Sequence, residues 1–174
     1  MEKSRLIFLI GALLVLGAGV GTAVYLADWK KRAQANAGDP LYGQLMALFA
    51  SAESSYGIPQ DLLARTGFEE SSFRPDIING TQVSSAGAQG IMQFEPATAA
   101  QYGVNPLDPT SAIPGAAHYL SDLYRQFGSW SLALAAYNDG PGNVTAAGGI
   151  PAVSAGYVSD ILSDVNAEGG AQVA

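Results

Sequence analysis

The chain has 174 residues, no cysteine and one histidine, which excludes disulfides, thiolate metal sites and a histidine cluster. That length accommodates one domain with an appendage; no metal and no cofactor are expected. The net charge of −7 is uneven: residues 1–40 carry five basic and three acidic side chains, and the remainder carries three basic and twelve acidic. An acidic body argues against nucleic acid as a partner, because phosphate contacts need clustered Lys and Arg.

After a short tail at residues 1–5, residues 6–27 form a run of 22 without a charge. As a helix rising about 1.5 Å per residue this run is about 33 Å long, enough for a hydrocarbon core of about 30 Å. Lys3 and Arg5 precede it, Lys30, Lys31 and Arg32 follow it, and Tyr25 and Trp29 fall where interfacial aromatics belong. One transmembrane helix in the lipid bilayer is the expectation. A cleaved signal peptide ending at Ala35-Asn36-Ala37 is the rival, but its apolar core would be too long and the basic cluster would lie in the wrong place. Gly17 and Gly21 add a small-x-x-x-small pair that suits helix packing. Residues 28–38, polar and Ala-rich, read as a linker.

The body is expected over residues 39–167. Asp39-Pro40 reads as an N-cap followed by proline at the first helical position, and Gly57 as a stop. Leu41, Leu45, Leu48, Phe49 and Ala52 mark the buried face between them. Pro59 opens a second helix in which Leu62, Leu63 and Gly67 share a face that Glu70 joins, while Glu69 lies about 100° around the axis. A carboxyl at the apolar side of a helix end is poorly solvated and holds its proton more firmly, as a general acid must. The other reading of Glu69-Glu70 is a solvated helix end.

Residues 76–90 are rich in Asn, Gly, Ser and Thr, and Asn79-Gly80 predicts a turn and a small hairpin. Gly87 and Gly90 either admit a bound sugar close to the backbone or serve turn geometry. A short helix follows from Pro96 through Tyr102. Ile113, Ala116, Ala117, Leu120, Leu123, Tyr124 and Phe127 then mark a long helix stopped by Gly128, with His118 as a structural residue within it. Trp130, Leu134 and Tyr137 give a further helix, and Val158, Ile161, Leu162 and Val165 the last. Residues 168–174 read as a mobile tail.

Three ordered blocks add chemistry to this frame. They are Glu70-Ser71-Ser72-Phe73-Arg74-Pro75, Gly87-Ala88-Gln89-Gly90-Ile91-Met92-Gln93 and Ala136-Tyr137-Asn138-Asp139-Gly140-Pro141-Gly142. Together they resemble the catalytic motifs of the lytic transglycosylases, the soluble-lytic-transglycosylase-like (SLT) branch of the lysozyme superfamily. The resemblance covers about residues 56–162. It implies a mainly α, lysozyme-like (goose-type/SLT) domain with a small hairpin, acting on peptidoglycan glycan strands without a cofactor. It further implies that Glu70 is the catalytic acid and then the base, that Ser71 braces it, and that Met92 lines the cleft. Gln93, Tyr137 and Asn138 would orient the sugar, and the product would be a 1,6-anhydromuramoyl end.

The chain departs from the family pattern in several places. Val153 stands where many members carry a second Glu, four residues before Tyr157-Val158; Asp139 replaces a small alanine, and Ala112 and Ala116 replace a polar residue and a glycine. Asp139 reads either as a compensating acid or as a turn residue. A lysozyme giving reducing ends and a non-catalytic glycan-binding or structural component are the alternative functions. The catalytic domain of a wall-cleaving enzyme is expected in the periplasm or cell wall, whereas the positive-inside rule leans towards a cytoplasmic body. A phage virion membrane would accommodate that conflict; wall remodelling, opening a path for a secretion or conjugation complex, and phage entry are the roles left open.

Overall fold

The computed structural model describes residues 28–167. The expected membrane span and the expected tail, residues 6–27 and 168–174, lie outside them. Among the described residues no helix is long and apolar enough to cross a membrane.

Nine α-helices make up the described architecture: α1 (Trp29–Ala37), α2 (Asp39–Tyr56), α3 (Leu62–Ser71), α4 (Pro75–Ile78), α5 (Pro96–Tyr102), α6 (Pro109–Phe127), α7 (Trp130–Asp139), α8 (Pro141–Ala147) and α9 (Ala155–Ala167). A short 3-10 turn, Ala152–Ser154, leads into α9. Helix α7 is the hub, packed against α6, α8 and α9. Its run Ala133, Leu134, Ala135 and Ala136 is fully buried. Three alanines in that run keep the helix thin, so neighbours on several sides reach it without voids. Against it α6 turns the stripe Ala112, Ile113, Ala116, Ala117, Leu120 and Leu123. Asp108 caps α6 by accepting the Thr110 N–H at 2.9 Å.

Helix α2 is stopped by Gly57 in the left-handed region at φ 65°, as its sequence predicts. Leu45, Phe49 and Ala52 are its buried apolar residues, while Leu41 and Leu48 are half-buried. The expected Asp39 cap is displaced by one residue. Gly38 occupies the N-cap position, and the Asp39 carboxylate instead accepts from the Gln34 side chain at 2.7 Å.

Glu53, on the same helix, is buried. It closes the start of α3, whose own N-cap residue Asp61 makes no side-chain cap. Its Oε2 accepts from Asp61 N at 3.0 Å, and its Oε1 from Leu63 N at 2.9 Å and Ala64 N at 3.1 Å. Three N–H groups left over at a buried helix start thus find their acceptor on another helix. Burial pushes the Glu53 carboxyl up to about 7, against the opposing pull of these donors.

Two expectations are corrected here. The stretch read as a linker is the helix α1, with Trp29 and Ala33 buried one turn apart. Trp29 packs on Phe68 with ring centroids 5.8 Å apart, so it belongs to the core, not to a membrane interface. The expected hairpin is also absent among the described residues. Asn79-Gly80 does turn, with Asn79 Oδ1 accepting from Thr81 N at 2.9 Å, but the backbone then bonds locally, Gln82 N to Asp76 O and Gly87 N to Ser84 O. Without alternating apolar residues there is no face to bury, and strand pairing shrinks to one antiparallel bridge, Gln89 to Phe94.

Candidate active site

Helix α3 is buried from Leu62 to Phe68 and emerges only at its last turn. Gly67 makes that depth possible: a Cβ there would lie 2.6 Å from Phe49 Cζ and 3.0 Å from Met92 Sδ. Glu69 and Glu70 part at the end of the helix, as the 100° step predicts. Glu69 is exposed and receives Arg65 at 2.7 Å, while Arg65 also donates to Asp164 of α9 at 2.5 Å. Glu70 is half-buried, and its Oε1 accepts a hydrogen bond from the Tyr157 hydroxyl at 2.7 Å.

Beyond Glu70 the chain turns sharply. Ser72 and Phe73 both hold left-handed backbone, at φ 50° and 52°. Phe73 is fully buried between Phe49, stacked at 5.5 Å, and Phe68, edge-on at 5.9 Å. A bulky residue at positive φ is strained and persists only where its surroundings fix it. Ser71 contributes to that fixing: its hydroxyl donates to Gly67 O at 2.9 Å and accepts from Phe73 N at 3.2 Å. Its single proton is thus committed to backbone, so Ser71 braces the end of the helix and not the carboxyl itself.

The glycine-rich block arrives from the side. Gln93 is left-handed at φ 47°, and its side-chain amide donates to Gly90 O at 2.8 Å. Gly90 is needed by the chain itself, because a Cβ would fall 1.7 Å from the Pro106 carbonyl oxygen; turn and packing geometry accounts for it without a sugar. Gly87 has φ 80° and ordinary clearance, with Pro96 at 3.8 Å. The Met92 side chain is fully buried, which corrects its expected place as a cleft lining. What Met92 supplies is its carbonyl, which accepts from the Tyr137 hydroxyl at 2.9 Å. That bond ties α7 to the loop. Neighbouring Asn138 accepts from the buried Ser154 hydroxyl at 3.0 Å, which links α7 to the 3-10 turn before α9.

Tyr157 is the site residue that sequence reasoning did not single out. Burial, and then the charge of Glu70, push its phenol well above its usual range, with Tyr137 also contributing. The phenol stays protonated and is a standing donor to Glu70. Its position as the tyrosine of the Tyr157-Val158 pair was the available signal. We predict that Tyr157→Phe lowers kcat about 10- to 100-fold with KM within about twofold, as loss of one positioning bond to an acid should; steady-state rates on a soluble glycan substrate check it.

His118 is half-exposed, stacked near Tyr56 and edge-on to Tyr102, and lies 3.7 Å from Asp122, a structural setting. Asp139 ends α7, and its carbonyl accepts from the Asn143 side chain at 2.7 Å. Val153 sits on the 3-10 turn with 55% of its surface exposed.

A half-buried glutamate that accepts a hydrogen bond from a half-buried tyrosine at the end of a buried helix is an arrangement that can support general-acid chemistry. The transglycosylase SLT domain model matches residues 47–155, and the chain belongs to that family. It is 37% identical over 105 residues to the membrane-bound lytic murein transglycosylase F 1 of Alkalilimnicola ehrlichii, covering 55% of this chain and 20% of that protein. It is also 37% identical over 91 residues to the transglycosylase of Enterobacteria phage PRD1, covering 52% of this chain and 32% of that one. Among solved structures it resembles the 70 kDa soluble lytic transglycosylase SLT70 of Escherichia coli, with a TM-score of 0.58 and 28% identity over 84% of this chain and 29% of that chain. The chain therefore spans between a fifth and a third of the length of these relatives.

Proposed function

We propose that the protein is a peptidoglycan lytic transglycosylase that cleaves the β-1,4 bond between N-acetylmuramic acid and N-acetylglucosamine. The observation that carries this is the 2.7 Å bond from the Tyr157 hydroxyl to Glu70 Oε1, which holds a half-buried carboxyl at the end of a buried helix. Glu70 gives that proton to the bridging oxygen, which departs as the 4-hydroxyl of N-acetylglucosamine. The positive charge that develops at C1 of the muramoyl sugar is met by the sugar's own acetamido oxygen. Glu70, now a carboxylate, takes the proton of the C6 hydroxyl as its oxygen attacks C1. The product is a 1,6-anhydro end, the acid is regenerated, and no water is consumed. One residue thus serves as acid and then base, in place of the two carboxylates of most glycosidases. The amides of Gln93 and Asn138 and the ring of Tyr137 stand on the elements flanking Glu70 and orient the sugar; Ser71 holds the helix end.

In this proposal residues 6–27 anchor the chain in a bilayer as a single pass, with the catalytic domain acting on the cell wall. Anchoring confines cleavage to a small area, which suits local opening of the wall for phage entry or for an envelope-spanning machine. The similarity to membrane-bound murein transglycosylases and to a phage transglycosylase supports that setting. The activity is tested by incubating the full-length chain with purified peptidoglycan and measuring release of soluble muropeptides. Release is expected; a folded protein that releases none would overturn the proposal.

A further inference from the structure

Helix α1 lies outside the residues matched by the family model, which begin at 47. It nonetheless grips the catalytic helix α3 at both ends. At the start of α3, Lys30 Nζ lies 3.0 Å from the Asp61 carboxylate. At its end, the Asn36 side-chain amide donates to the Ser72 carbonyl at 2.8 Å. Between them, Trp29 packs on Phe68, and the Arg32 guanidinium lies over the same ring at 5.4 Å. Phe68 precedes Glu70 by two residues.

The two ends gripped are the two places where α3 is strained. Asp61 holds φ 65° and Ser72 holds φ 50°, with Phe73 following at 52°. Left-handed backbone at residues other than glycine is costly, so each such residue needs contacts that exclude the relaxed alternative. For Asp61 the holders are Glu53 and Lys30. For the Ser72–Phe73 turn they are Ser71 from within and Asn36 from outside. Glu70 lies one residue before the brace and two before the clamped carbonyl. A relaxed turn would let the last turn of α3 unwind and carry the carboxyl away from Tyr157.

We infer that α1 is a positioning element of the active site, and that Asn36 is a positioning residue which sets Glu70 against Tyr157 by clamping the Ser72 carbonyl. The inference rests on the proposed transglycosylase function for its catalytic consequence, and on the structure alone for the clamp. It also makes α1 the mechanical link between the segment before residue 28 and the acid.

The test compares full-length wild type, Asn36→Ala and Asn36→Asp by amide hydrogen exchange and by steady-state cleavage of a soluble glycan. Gln34→Ala serves as the control, since Gln34 sits on the same helix and its side chain bonds only Asp39 among the contacts described. Asn36→Ala is expected to speed exchange about fivefold at Ser72 and Arg74, whose N–H groups bond Phe68 O and Ser71 O across the turn. It should lower kcat five- to tenfold with KM within twofold. Asn36→Asp, which puts a carboxylate against a carbonyl, should be worse in both measures, and Gln34→Ala should match wild type in both. Unchanged exchange at the turn in Asn36→Ala overturns the clamp whatever the activity. Faster exchange with unchanged kcat overturns the positioning role. A wild type without product, but with the exchange effect in the variant, would sink the proposed function and leave the clamp standing.

Discussion

Replacing Glu70 with glutamine is expected to lower the rate of glycan cleavage by about a thousandfold or more, because general acid catalysis contributes about that much and the same residue serves again as base. The substitution keeps the shape of the side chain and an oxygen able to accept the Tyr157 hydrogen bond. The buried frame beneath it, Leu62 to Phe68, does not depend on the charge of Glu70. Thermal stability should therefore stay within about 1 kcal/mol of wild type. Glu69→Gln serves as the comparison. That carboxylate is exposed and engaged with Arg65, so its loss should cost less than about tenfold in rate. If Glu69→Gln were the more damaging of the two, the assignment of the acid would be wrong. Rates measured beside circular-dichroism melts separate catalysis from folding.

The second large effect concerns stability. Glu53→Ala removes the acceptor of three N–H groups at the start of α3, those of Asp61, Leu63 and Ala64. Each buried donor left without a partner costs about 1–3 kcal/mol. A loss of about 3–4 kcal/mol is expected, about 10 °C in Tm. The same residue predicts a pH dependence in the wild type. Its folded carboxyl titrates at about 7 against an ordinary value of 4.5, so the folded state holds a proton that the unfolded chain releases. Its contribution is fully present below 4.5, falls as pH rises, and is lost above about 7, a span of at most about 3 kcal/mol. Glu53→Gln, which cannot titrate, should flatten that slope between pH 4.5 and 7. Chemical denaturation across this range measures both, and an unchanged slope in Glu53→Gln would assign the pH dependence elsewhere.

Local features of the site were legible in the sequence, and long-range ones were not. The separation of Glu69 from Glu70 follows from helical geometry alone, and the stops at Gly57 and Gly128 follow from the left-handed backbone that ends a helix. Tyr157 meets Glu70 across 87 residues of sequence, and no periodicity announces such a meeting. Glu53 was passed over for a similar reason: a polar residue on the buried side of α2 makes sense only once α3 is seen to begin against it. Helix α1 was missed because only Trp29 and Ala33 on it are fully buried, and the ring that covers Trp29 belongs to α3. Met92 shows the converse. A motif marks the residue without saying whether its side chain or its carbonyl contributes, and here the side chain is core while the carbonyl holds Tyr137.

The central claim is that Glu70 directs the muramoyl C6 hydroxyl, and not water, to C1. The most direct measurement is digestion of purified peptidoglycan by the full-length chain in oxygen-18 water, with the masses of the released muropeptides read by spectrometry. Anhydro ends about one water lighter than reducing ends are expected, with no heavy oxygen incorporated at the cleaved sugar. Reducing ends carrying oxygen-18 would contradict the claim and make the enzyme a hydrolase.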